Sequence, residues 1–234
     1  MREILVPQGS SAWLSARSGL ITASRIKDVM NVLKNGSEGA GRKRYRRELA
    51  LERLTGFSAT HYVTPAMEHG IAYEPIARSA YELERDVMVQ GAGLVLHPTM
   101  DFSAASPDGL VGRDGAIEIK SPQDDTMVEW IRSGVVPEDH KDQCDWVMEC
   151  CEREWIDFVA AHPRFKPLIV RMERNEQRLS EIREAVSKFN EEVDVLVEEL
   201  RPWIIPIPTS NEPDSMPAPP IEEWHKYFGE EVVP

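Results

Sequence analysis

Apolar residues along this chain recur with two different periods, and the switches between them mark the elements. From Leu179 through Ile182, Val186, Phe189, Val193, Leu196 and Leu200 the spacing alternates between three and four. That predicts one long helix whose single apolar stripe covers a sheet. Over residues 116–120 the period falls to two: Ile117 and Ile119 alternate with Glu118 and Lys120. A strand there carries both charged side chains on one face, and Pro122 ends it. Runs bounded by Gly, Pro and Asp predict further strands over 86–90, 93–97, 102–105, 108–111, 155–161 and 168–172, the first four leading into 116–120 as a meander.

Helical spacing predicts the remaining elements. A short helix over 10–18 is closed by Gly19, with Trp13 toward the core and Arg17 near its end. Ser24 reads as the N-cap of a helix carrying Ile26, Val29, Met30 and Leu33. The Gly-rich loop 34–41 leads into a basic helix reaching Thr55; it lacks the GxxxxGK[ST] arrangement, so it is no nucleotide cradle. Over 65–84, Tyr73, Ile76, Ala77 and Tyr81 face a core, and Pro75 implies a first-turn start or a kink at Glu74. Over 138–153, His140, Gln143, Val147 and Cys151 share one side. Helices interleaved with strands give an α/β class, with a mixed central sheet flanked by helices.

Composition narrows the setting. The 234 residues are 41% hydrophobic, enough for one sizeable core, read as residues 1–201, with 202–234 appended. That appended stretch holds eight prolines together with Trp203, Trp224, Tyr227 and Phe228, and is expected to be an irregular, docked tail. The apolar run at the start is too short for a signal peptide and no stretch approaches a membrane span, so the expected location is cytoplasmic, with no membrane partner. Cys144, Cys150 and Cys151 read as small buried hydrophobes in a reducing compartment; a zinc site made from them and His140 is the other reading, and four cysteines for an iron–sulfur cluster are absent.

A net charge of −13 repels phosphate over most of the surface. Arg42, Lys43, Arg44, Arg46 and Arg47 put five cations in six positions, which are read either as a DNA-facing patch or as a solvated helix start.

The chemistry centres on Ser106-Pro107-Asp108-Gly109 and the strand bearing Glu118 and Lys120. Two carboxylates suit Mg²⁺ or Mn²⁺ with open positions for water and a phosphodiester, and a neighbouring lysine can orient the water, stabilise charge or, if its pKa falls, act as a base. The bland alternative is an edge strand with a surface ion pair and an Asp-Gly turn. Asp108-(x9)-Glu118-Ile119-Lys120 matches the PD-(D/E)xK nuclease signature. Together with Ala12-Trp13 to Ile21-Thr22-Ala23-Ser24, Gly70-Ile71-Ala72-Tyr73-Glu74 and Asp142-Gln143, in that order, the chain resembles the lambda exonuclease and YqaJ-type viral recombinase family, over most of its length.

That resemblance implies a PD-(D/E)xK restriction-endonuclease-like core and a Mg²⁺-dependent 5′-to-3′ exonuclease on linear double-stranded DNA. It would release mononucleotides and leave a 3′ single strand for phage-type homologous recombination. The resemblance also implies two metal ions held by Asp108, Glu118 and the Ile119 carbonyl, with Lys120 and Glu74 handling the water. Arg17, Ser24, Ser106 and Gln143 would hold a 5′-phosphate. At His140 the family has a tyrosine, so a DNA contact there stands beside an ordinary polar contact. The resemblance implies a homotrimeric ring and a phage single-strand annealing protein as partner. Without it, Ser24 is only a cap, Arg17 a surface cation and Glu74 an exposed glutamate. A restriction-type or structure-specific endonuclease would use the same trio, and a non-catalytic DNA-binding recombination adaptor would need a decayed one.

Overall fold

In the computed structural model, which describes residues 1–57 and 65–205, the elements follow in the order β1 (Arg2–Ile4), α1 (Ser11–Arg17), β2 (Ile21–Thr22), α2 (Ile26–Val29), α3 (Ala40–Thr55), α4 (Pro65–Arg85), β3 (Val89–Gln90), β4 (Leu94–Leu96), β5 (Ser103–Ala105), β6 (Gly109–Val111), β7 (Gly115–Lys120), α5 (Asp124–Ser133), α6 (Glu138–Cys150), β8 (Trp155–His162), β9 (Phe165–Glu173) and α7 (Glu176–Leu200). A 3-10 turn, Ala23–Arg25, precedes α2, and another, Arg201–Trp203, follows α7. Most of the predicted tail, 206–234, lies outside the described residues.

The strands form two sheets where the sequence predicts one meander. The smaller has the order β1-β4-β5-β2 and the larger β3-β6-β7-β8-β9. Pro107 supplies the break between them: it has no N–H to continue the β5 ladder, so the chain leaves the first sheet at Ser106 and enters the second at Gly109. Asp108 is thereby set at the seam. Within the larger sheet β7 pairs antiparallel with β6 and parallel with β8, aligning Glu118 with Phe158 and Lys120 with Ala160. Gly109 is required at this register, because a Cβ there would come within 2.2 Å of Val89 Cγ1.

Alternation along β7 and β8 builds a core on each face. Ala116, Ile156, Phe158 and Ala160 join the larger core with α6 and α7, while Ile117, Ile119 and Val159 meet Ala77 and Tyr81 of α4. The stripe of α7 is buried as predicted at Leu179, Ile182, Val186, Phe189 and Val193, but continues through Val197, with Leu196 and Leu200 half-buried. It packs mainly on α3, then α6 and α2, so its cover lies over helices instead of the sheet. The predicted helix over 24–33 is reduced to the 3-10 turn and a single turn of α2, so Ser24 sits inside the turn and caps no α-helix. Helix α4 continues through Pro75. All three cysteines are buried, and burial raises their thiol pKa values, in keeping with their reading as small hydrophobes.

Candidate active site

Glu118 and Lys120 project from the α6 face of β7, as the period of two requires. Asp108 reaches the same place from the turn before β6, anchored where its Oδ2 accepts the Ile119 N–H at 2.6 Å. The Ile119 side chain packs in the α4-side core, so what it offers the pocket is backbone.

The charges are far from evenly satisfied. Glu118 is 2% exposed, and its Oε1 accepts from both Lys120 Nζ and Gln143 Nε2, each at 2.6 Å. Its Oε2 is buried with no hydrogen-bond partner among the described residues. Asp108 is held well above the ordinary carboxylate range, first by loss of water around it and then by Glu118, with Lys120 and the Ile119 N–H opposing and Glu74 adding to the rise. Burial is the largest influence on Lys120 and pulls it down, yet Glu118 and Asp108 outweigh it, and the ammonium is held above its usual pKa. The lysine is therefore a cation in this state, not a free base.

A bare buried carboxylate oxygen beside a second carboxylate of raised pKa is what a divalent cation relieves: it neutralises both and supplies the absent ligand. Among the described residues there is no cluster of three His, Cys, Asp or Glu that could hold a metal. The donor set that fits is Asp108, Glu118 and the Ile119 carbonyl, hard oxygens suited to Mg²⁺.

A cavity of about 210 Å³ opens on this group, lined by Asp108, Glu118, Ile119 and Lys120 together with Arg17, Ser24, Ser106 and Gln143. Eight residues picked out by sequence pattern or resemblance thus meet in one cavity. Four more line it that the sequence reading left out of the site: Gln8, Trp13, Thr22 and Ala23. Trp13, expected in the core, is half-buried at the wall, where its Nε1 donates to Ser106 Oγ at 3.0 Å. The Arg17 guanidinium lies 4.3 Å from the Trp13 ring centroid and donates to Thr22 Oγ1 at 3.2 Å. Burial lowers the Arg17 pKa, though an arginine starts so high that it stays charged. The spacing of four between Trp13 and Arg17 on one helix was a readable sign that they share a face.

Residues 12–154 match the YqaJ-like viral recombinase domain. Among solved structures, an alkaline exonuclease from Laribacter hongkongensis is similar at 37% identity, covering 83% of this chain and 97% of that one with a TM-score of 0.76, and the same protein in complex with dAMP matches equally. The chain belongs to the YqaJ-like viral recombinase family. A phage-related exonuclease from Haemophilus somnus, at 15% identity over 77% of this chain and 96% of that one with a TM-score of 0.62, shares the fold. No curated protein sequence matches the chain. The span matched to the family contains each of the eight predicted residues of the cavity.

Other candidates lie apart from the cavity. Glu74, on α4, is half-buried and outside the lining, close enough for its charge to act on Asp108. The basic run divides. Arg42, expected to face DNA, is 4% exposed: it donates to the Val29 carbonyl, pairs with Glu38 and Glu192, and lies over the Phe189 ring. Arg46 is held by the same two glutamates, and Arg44 makes a long contact with Glu48. Helical geometry explains the correction, because positions 42 and 46 are one turn apart on the face toward α7 while Lys43, Arg44 and Arg47 point outward. His140 stacks on Phe158 and meets Trp130 edge-on; burial, then Lys120 and Lys27, lower its pKa to about 4. It lies outside the cavity lining as a neutral ring.

Proposed function

We propose that this protein is a Mg²⁺-dependent 5′-to-3′ exonuclease of linear double-stranded DNA, releasing 5′-mononucleotides and leaving 3′ single strands for homologous recombination. Family membership and the likeness to an alkaline exonuclease support a nuclease role. The observation that carries the reading is the bare, buried Oε2 of Glu118 beside Asp108 and Lys120, in a cavity that also contains Arg17. The similar enzyme's complex with dAMP supports a mononucleotide as product.

The residues divide the work. Asp108, Glu118 and the Ile119 carbonyl would hold up to two Mg²⁺ ions, with Mn²⁺ able to replace them. The metal's contribution is to lower the pKa of a bound water and to polarise the scissile phosphate. Lys120 orients the attacking water and donates toward developing negative charge. Glu74, whose charge acts on Asp108, accepts from the attacking water. Arg17 offers its guanidinium fork to a terminal 5′-phosphate, with the Ser24 and Ser106 hydroxyls as neighbouring donors. Gln143 begins the cycle donating to Glu118 and has its second amide hydrogen for the same phosphate. The exposed Lys43, Arg44 and Arg47 supply sequence-independent attraction to duplex DNA. The protein works in the cytoplasm as a homotrimeric ring with a phage single-strand annealing protein.

Digestion of one end-labelled linear duplex, with and without Mg²⁺, tests the reading. Label at the 5′ end should leave as mononucleotide before label at the 3′ end, and only with metal. Cutting of a closed circular duplex at a comparable rate would replace the exonuclease with an endonuclease. Metal-independent binding without cutting would leave only an adaptor.

A further inference from the structure

Helix α4 lays Tyr73, Ala77 and Tyr81 against the sheet, and Glu74 and Arg78 follow two of these by one position, in the row beside them. Arg78 Nη2 donates to Glu74 Oε1 at 2.7 Å, and the two side chains are 31% and 26% exposed. An i,i+4 pair with the acid first is ordinary on a helix. Three features set this one apart. Pro75 follows Glu74 directly and has no N–H, so the Ile71 carbonyl loses its helical donor and the turn bearing Glu74 is one hydrogen bond short. The next acid in the row, Glu82, is taken by the Val89 N–H at 2.8 Å, so among the described residues Glu74 is the carboxylate that Arg78 pairs with. Arg78 Nε is also buried with no hydrogen-bond partner among the described residues, a penalty that a purely superficial pair does not carry.

We infer that Arg78 is a positioning residue for Glu74, tying its Oε1 across the proline-weakened turn and leaving Oε2 to accept from the attacking water beside Asp108. This rests on the nuclease reading above. The arginine touches neither water nor DNA; it narrows the rotamers of a carboxylate on a turn that lacks one backbone hydrogen bond. Misplacing a group at a reacting centre by an ångström can cost about a hundredfold in rate.

Steady-state hydrolysis of 5′-phosphorylated linear duplex by wild type, R78M, R78K, E74Q and the E74Q/R78M double variant, each with a thermal midpoint, tests the assignment. R78M should lower kcat by about ten- to a hundredfold with KM within about twofold, R78K should recover most of it, and the double variant should be no slower than E74Q. The inference is overturned by losses that multiply in the double variant, by a raised KM at unchanged kcat, which would put Arg78 on the DNA, or by R78K and R78M falling equally in rate and midpoint. Should R78M fail to fold, E74Q/R78K against E74Q and R78K gives the same comparison. Asp108→Ala run alongside keeps the two readings distinct: wild-type turnover there defeats the nuclease site itself, whereas an inactive Asp108→Ala with multiplying Arg78 losses defeats only this inference.

Discussion

Two carboxylates occupy neighbouring strands of one sheet and have opposite fates. Asp157 on β8 lies on the α4 face, 0% exposed, and both of its oxygens are used: Oδ1 accepts from Arg171 Nε at 2.8 Å, and Oδ2 from Arg171 Nη2 at 2.9 Å and Tyr81 Oη at 2.8 Å. Arg171 is itself braced 3.6 Å above the Trp155 ring centroid, and burial followed by Asp157 pushes the Tyr81 hydroxyl pKa up, keeping it a donor. Glu118 on β7 is nearly as buried on the other face, but two donors share one oxygen and leave the second bare. A buried charge with both oxygens occupied serves the fold. One with an oxygen left over is an invitation to a ligand.

The largest expected effects come from exchanging the treatments of these two residues. Asp108→Ala and Lys120→Ala should each lower hydrolysis by roughly 10² to 10⁴, and only the aspartate change should weaken Mg²⁺ binding strongly by calorimetry. Glu118→Gln should likewise abolish turnover while leaving the metal-free thermal midpoint no lower than wild type, because Gln keeps the Oε1 acceptor for Lys120 and Gln143 and ends the repulsion between the two buried carboxylates. Asp157→Asn should do the reverse: a loss of about 1.5–3 kcal/mol in chemical denaturation, moderated because Arg171 can reach water, with turnover changed less than about twofold. A destabilised Glu118→Gln, or an inactive but stable Asp157→Asn, would break the comparison.

Two arginines sharpen it at intermediate size. Arg42 is enclosed by Glu38 and Glu192, while Arg17 leans on an indole and a hydroxyl at the cavity wall. Arg17→Ala should slow 5′-phosphorylated duplex by about tenfold to a hundredfold, the worth of one charge-assisted hydrogen bond, and affect 5′-hydroxyl duplex far less. Equal losses on both substrates would assign Arg17 to folding or general DNA binding. Arg42→Ala should lower stability by about 2 kcal/mol or more and leave the salt slope of DNA binding unchanged, whereas Lys43→Ala with Arg47→Ala should flatten it.

The smallest effect is that of pH at His140. Its folded pKa of about 4 lies below the ordinary 6.5, so the unfolded chain binds the extra proton first as pH falls. The stabilisation from the neutral ring is complete above 6.5 and fades as pH drops toward 4. Replacement by Phe, which keeps the ring on Phe158, should remove that slope from a series of denaturation curves. A ring titrating near 6.5 by NMR in the folded protein would contradict the buried placement.

Much of the candidate site was legible because its information is local. An Ile-Glu-Ile-Lys alternation fixes which face its charges take, and a Pro-Asp-Gly turn fixes how close a third group comes; neither depends on distant residues. The long helix, the basic helix with its Gly56 stop and the strands over 155–173 were likewise set by periodicity and punctuation. Helix α5 and strand β1 escaped a local reading: β1 is three residues long, and its partner β4 lies some ninety positions along the chain.

What the sequence by itself determined, then, is the set of groups that meet at Asp108, Glu118 and Lys120 and the elements that bear them. The tertiary structure alone decided that the strands part into two sheets at Pro107, that Trp13 lines the cavity instead of the core, and which cations face water. Five basic residues in six positions look alike in one dimension. Once α7 brings Glu192 across α3, Arg42 and Arg46 are neutralised and their neighbours are left outward. The reason is range: side-chain direction is written into each turn of backbone, whereas desolvation and ion pairing depend on whatever the fold carries in from elsewhere in the chain.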